Sequence, residues 1–105
     1  MMINGVCFYQ ENRLSESHRE ELDSALAALA SAYFDEDLEI AWTEIAAGNG
    51  WTGVGPATGS NMALFVPDMP DDKREALLKE ICSHWMRITD CKITEIVASA
   101  INRER

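Results

Sequence analysis

Few side chains in this sequence have the type and spacing to do chemistry, and the basic ones come first. Arg13 sits in a polar stretch, Gln10-Glu11-Asn12-Arg13-Leu14-Ser15. Its guanidinium is a planar fork that matches a carboxylate with two hydrogen bonds. The plainer reading is a solvated turn residue paired with Glu11 or Glu16. Lys73 and Arg74 form a second cationic pair, but Asp71, Asp72 and Glu75 surround them. That mixture reads first as a solvated, internally paired helix face.

The other candidates are weaker. Cys7, Cys82 and Cys91 lack C-x-x-C spacing, and nothing in the sequence supplies the base that a thiol nucleophile needs, so they read as core thiols. His18 and His84 are far apart and stand in no ligand-like spacing to cysteine, so no metal site is expected. Trp42 and Trp85 fall at strand and helix core positions. Trp51 lies among glycines, where a large aromatic has little core to enter, which points to a pocket or an interface. Gly53-Val54-Gly55 lacks the residues of a phosphate loop and reads as turn geometry.

The elements that must position these residues repeat. Residues 2–9 are apolar, with Val6, Phe8 and Tyr9, and suit a strand. Ser15 suits a helix cap, and Leu22, Ala25, Leu26, Leu29 and Tyr33 follow at helical spacing. Asp35 to Asp37 ends that stripe, and Leu38, Ile40 and Trp42 then alternate as a second strand. Residues 47–60 hold the chain's glycines other than Gly5 and read as a hairpin-like loop between two halves. The second half predicts a strand over 62–66, a turn in which Pro70 and two aspartates suit a helix start, and a stripe of Leu77, Leu78, Ile81, Trp85 and Ile88. A strand over 93–101 completes it. Each half is β-α-β, roughly 2–46 and 61–101 within one domain, and both helices are expected on one face of a four-stranded sheet.

Bulk properties bound the function. A chain of 105 residues with 47% hydrophobic content makes one modest core. A net charge of -9 argues against nucleic acid and against an anionic membrane surface. No run approaches the roughly 20 apolar residues of a membrane span, and the start lacks a signal-peptide pattern. Three dispersed cysteines read as free thiols, so the cytosol is the expected compartment. Nothing points to a metal or organic cofactor.

The order of these elements resembles the tautomerase superfamily, and within it the fused two-repeat branch of cis-3-chloroacrylic acid dehalogenase. The resemblance rests on the turn of residues 10–15, on Ala46-Ala47-Gly48-Asn49-Gly50-Trp51-Thr52-Gly53-Val54-Gly55 after the second strand, and on Phe65-Val66 leading through a short turn into an acidic helix that carries Lys73 and Arg74. It implies an α+β fold, a homotrimer, and a small-carboxylate substrate held by arginine. Arg13 then corresponds to a turn arginine that helps bind the carboxylate, and Lys73 and Arg74 stand near two arginines of the dehalogenase branch. The Trp51 region corresponds to one that reaches a neighbouring subunit and walls the site. The superfamily's base is an N-terminal proline, whose amine is neutral near pH 7 in an apolar pocket. Here the chain opens Met1-Met2-Ile3, and its first proline is Pro56. The Met1 amine is the one candidate to replace that base, and the histidine of the dehalogenase branch has no counterpart. The activities implied are isomerase-like, or dehalogenase- or hydratase-like, without proline. The alternatives are a non-catalytic trimeric homologue and a ferredoxin-like regulatory domain that binds small molecules.

Overall fold

A computed structural model describes residues 2–103. The order is β1 (Met2–Gln10), α1 (Glu16–Phe34), β2 (Asp37–Ile45), β3 (Ser60–Val66), α2 (Asp71–Thr89), a 3₁₀ turn (Ile93–Glu95) and β4 (Ile96–Asn102). The sheet runs β2-β1-β3-β4. Within each half the two strands are parallel neighbours, β1 with β2 and β3 with β4, and antiparallel pairing of β1 with β3 joins the halves. A ferredoxin-like sheet would split each β-α-β pair with an inserted strand. Adjacent pairs therefore exclude that alternative and match the two-repeat α+β expectation.

Alternation along the strands decides which side chains meet the helices. Ile3, Cys7 and Tyr9 of β1, and Met62, Leu64 and Val66 of β3, point to one face and are buried. Leu22, Leu26 and Leu29 of α1 and Leu77, Ile81 and Trp85 of α2 cover that face at helical spacing. Leu38, Ile40 and Trp42 pack against the same core from β2. Gly5 faces Leu64 across the sheet, and a Cβ there would meet the Leu64 and Met62 side chains at 2.8 Å.

Helix ends follow their local chemistry. The Ser15 hydroxyl accepts from the His18 N–H at 3.0 Å, and His18 Nδ1 accepts from the Ser15 N–H at 3.3 Å, a reciprocal cap that explains His18 structurally. Asp35 and Asp90 end α1 and α2 in the left-handed region. A hydrogen bond from Tyr33 to Glu80 ties the two helices together. The fourth strand begins three residues later than the sequence implies: Ile93 is exposed in the 3₁₀ turn, because Glu95 accepts the Lys92 N–H and curls the backbone. The loop of residues 46–59 is hairpin-like around an antiparallel bridge of Trp51 with Pro56, where the Ala57 N–H donates to the Gly50 carbonyl at 2.8 Å and the Thr52 N–H to the Gly55 carbonyl at 2.7 Å.

The opposite face of the sheet carries no helix. Phe8, Val97, Ile101 and Met2 stand exposed on it, with Val6, Ala41 and Ala63 between them.

Candidate functional site

The cationic candidates fall at two ends of the molecule. β1 and β2 run upward, and β3 and β4 run down. The lower end therefore gathers Met2, the start of β2, the start of α2 with Lys73 and Arg74, and the end of β4. The upper end gathers Arg13, the 46–59 loop with Trp51, the end of α2 and Glu95. Eight steps along β1 at about 3.3 Å each separate the ends by roughly 26 Å. Arg13 and the Lys73–Arg74 pair thus do not meet within one chain, and Met1 lies outside the described residues.

At the lower end the guanidinium groups are engaged. Arg74 donates to the Ala100 carbonyl and to Asn102 Oδ1, each at 2.6 Å, with Asp68 at 4.0 Å. It pins the first turn of α2 to the end of β4, which corrects its reading as a residue of a solvated, internally paired face. Lys73 beside it is exposed, as that reading expected. Arg103 makes a two-pronged pair with Glu36, at 2.8 and 3.0 Å, and both side chains are largely buried. The same guanidinium reaches the Met2 carbonyl at 3.5 Å. This clamp closes the place where β1 begins, and the sequence reading passed over both partners, Glu36 as part of the stretch that ends the first helical stripe and Arg103 altogether.

At the upper end Arg13 is open. Its side chain is 50% exposed, and its acidic partner is Glu95 at 3.8 Å, not Glu11 or Glu16. That distance is an ion pair beyond hydrogen-bond reach, so donors of the fork remain for a ligand. Glu95 also takes the Lys92 N–H at 2.9 Å and the Thr58 hydroxyl. Gly59 lets the loop pass close by, since a Cβ there would stand 2.8 Å from the Glu95 carbonyl. A cavity of about 90 Å³ opens between Arg13, Thr58, Ser60, Trp85, Thr89 and Glu95. Trp51 is 69% exposed at the same end, and its indole N–H donates to the Gly48 carbonyl at 3.0 Å, which fixes the ring outward.

The thiols behave as core groups. Burial pushes the Cys7 thiol up to about 12, far from a nucleophile's range, and burial also raises Cys82. Among the described residues no group of three or more His, Cys, Asp or Glu is arranged to hold a metal ion. No described helix is long and apolar enough to cross a membrane.

Two carboxylates give the protein an acid-sensitive edge. The Arg103 hydrogen bonds hold Glu36 below the ordinary carboxylate range, and the Lys92 N–H, the Thr58 hydroxyl and Arg13 do the same for Glu95. A lowered folded pKa contributes stability above the unfolded value of about 4.3, lost as pH falls through the folded value. Thermal unfolding followed from pH 7 to pH 2.5 should hold its midpoint down to about pH 5 and then fall. Glu36→Gln should flatten the acid limb, and an unchanged limb in that variant would contradict the clamp.

No protein-family model matches this sequence, and neither does any curated protein. Solved structures do match its fold. Native Ps01740 superposes with a TM-score of 0.88 at 18% identity, over 94% of this chain and 92% of that one. A member of the cis-3-chloroacrylic acid dehalogenase family gives 0.82 at 9% identity, over 94% of this chain and 73% of its own. A fused 4-OT described as a symmetric trimer gives 0.80 at 9% identity, over 97% and 85%. These neighbours are tautomerase-superfamily members, and this chain has their fold.

Proposed function

We propose that this protein is a tautomerase-superfamily homologue that assembles as a homotrimer and binds a small carboxylate through Arg13, without the superfamily's proline chemistry. The observation that carries this reading is the contrast between its arginines. Arg74 and Arg103 have hydrogen-bonded partners within the chain, whereas Arg13 keeps half its surface open and lies 3.8 Å from Glu95. The residues that lead into β1 are Met1-Met2-Ile3, and the first proline of the sequence is Pro56, so an amine at Met1 is the candidate in place of a proline base. The 26 Å between the two ends favours an intersubunit arrangement, with Arg13 and Trp51 of one subunit facing Lys73 and Arg74 of the next.

The trimer is supported by the bare face of the sheet. Its rim is apolar at Phe8, Val97 and Ile101, while Val6, Ala41 and Ala63 are small enough to let a second sheet approach closely. A cytosolic compartment, expected from three free thiols, and the absence of nucleic-acid or membrane partners, expected from the charge of -9, belong to the same reading.

The test is ketonisation of phenylenolpyruvate and of 2-hydroxymuconate, followed by absorbance for the wild type and for Arg13→Ala. The expected result is no turnover above buffer in either protein. Turnover that disappears in Arg13→Ala would keep the carboxylate contact and overturn the loss of chemistry. It would also put the Met1 amine forward as the base, checked by blocking that amine.

A further inference from the structure

We propose that Glu95 is a specificity-determining residue whose fixed carboxylate limits the Arg13 site to ligands with one negative charge, that is, to monocarboxylates. The proposal rests on the preceding reading for the carboxylate contact and adds the charge of the ligand that the site admits.

Glu95 is not free to swing aside when a ligand arrives. Its carboxylate accepts the Lys92 N–H at 2.9 Å and the Thr58 hydroxyl, and its own N–H donates to the Lys92 carbonyl at 2.8 Å. The side chain is 13% exposed. Arg13 is tethered as well. Asn12 before it takes the left-handed conformation, the Arg13 N–H donates to the Gln10 carbonyl at 3.0 Å, and Leu14 after it is buried. At 3.8 Å the carboxylate makes no directional bond to the fork, so what it supplies to Arg13 is charge. A ligand that takes the guanidinium therefore comes to rest beside a carboxylate that stays in place.

The charges nearby decide what such a ligand can carry. Arg13 and Glu95 cancel before anything binds, and a monocarboxylate still gains its charge-assisted contact with the fork. The second charge of a dianion has no cation to meet. Among the described residues lining the cavity Arg13 is the one base, and Asp90 is a further acid. Arg19 is engaged elsewhere, donating to the Leu14 carbonyl at 3.3 Å and to the Tyr9 hydroxyl at 3.1 Å. In an intersubunit site Lys73 and Arg74 would arrive together with Asp71, Asp72 and Glu75, which adds no net positive charge. Repulsion between unit charges several ångströms apart at a half-exposed site is worth about three- to tenfold in affinity.

Calorimetric titration of the full chain with pyruvate and with oxalate tests this. The two anions are similar in size, and oxalate has a second carboxylate where pyruvate has its acetyl group. Wild type should bind pyruvate about three- to tenfold more tightly than oxalate, and Glu95→Gln should bring the two within about twofold. Glutamine keeps a carbonyl oxygen for the Lys92 N–H. The preference is read within one protein, so partial unfolding would lower both ligands alike. Glu95→Asp keeps the charge and should keep the preference. Oxalate bound as tightly as pyruvate by the wild type would overturn the monocarboxylate limit and leave the Arg13 contact standing. A preference undiminished in Glu95→Gln, or lost equally in Glu95→Asp, would overturn the charge of Glu95 as its source. No binding of either anion to the wild type would overturn both this proposal and the carboxylate reading.

Discussion

Val97→Asp is expected to turn the proposed trimer into a monomer, with sedimentation velocity reporting a threefold drop in mass. Val97 stands 53% exposed on the bare face of β4, and Asn61 of β3 is its neighbour in the sheet. In an isolated chain the change is a surface substitution, and the cost is within about 0.5 kcal/mol. In a closed assembly the same aspartate enters a buried seam beside Phe8 and Asn61 without a cationic partner, once per subunit. An unpaired buried charge costs several kcal/mol, so three copies outweigh an interface of ordinary size. Phe8→Asp and Ile101→Asp should act alike, since Phe8 belongs to the same cross-sheet row and Ile101 pairs with Phe65 two rows along the same face. A Val97→Asp protein that keeps the wild-type mass would mean that the bare face is not where copies meet.

The second large effect belongs to Trp85. Truncation in Trp85→Ala is expected to cost about 3–5 kcal/mol, because the ring is fully buried and leaves a cavity that the sheet cannot collapse into. Domains of this class have a stability of only about 5–15 kcal/mol. The unfolding midpoint should therefore drop by roughly 12 °C or more. Trp85→Phe provides the control. The indole N–H of Trp85 has no hydrogen-bond partner among the described residues, and neither has that of Trp42, whose ring lies 6.0 Å away. A buried donor without an acceptor carries a desolvation cost of about 1–3 kcal/mol. Phenylalanine removes that cost while keeping most of the volume, so its net loss should stay below about 1.5 kcal/mol. A Trp85→Phe variant as unstable as Trp85→Ala would mean that the indole nitrogen is satisfied in solution, most simply by an ordered water.

How far these features were legible in the sequence depends on how local their causes are. Both helices could be read, because the Leu22–Leu26–Leu29 and Leu77–Ile81–Trp85 stripes and the Ser15 cap are short-range signals. The division into two β-α-β halves followed from their repetition, and the antiparallel pairing of β1 with β3 that joins them carried no local signal. Ile93 misled, because a β-branched residue at the start of an apolar run looks like a strand. The turn that displaces it depends on one carboxylate, Glu95, folding back on Lys92. Arg13 was singled out as a notable cation but given partners close in sequence. Its partner lies at the far end of the chain and is brought near only by the parallel pairing of β3 with β4.

The lower end was the least legible part. Arg74 was assigned to solvent because acidic residues crowd it in sequence, yet its hydrogen bonds go across to β4. Glu36 and Arg103 carried no motif at all, and only the closed sheet makes them neighbours. The exposed set of Phe8, Val97 and Ile101 alternates along its strands, but which face the helices would leave bare was settled by the register.

The most direct measurement is a calorimetric titration of pyruvate into the wild-type protein and into Arg13→Ala, each first confirmed to be folded by circular dichroism. The account predicts saturable binding to the wild type and a loss of about tenfold or more in Arg13→Ala, the worth of one charge-assisted contact. Equal affinity in the two proteins, or binding lost instead in Lys73→Ala alone, would contradict Arg13 as the residue that takes the carboxylate.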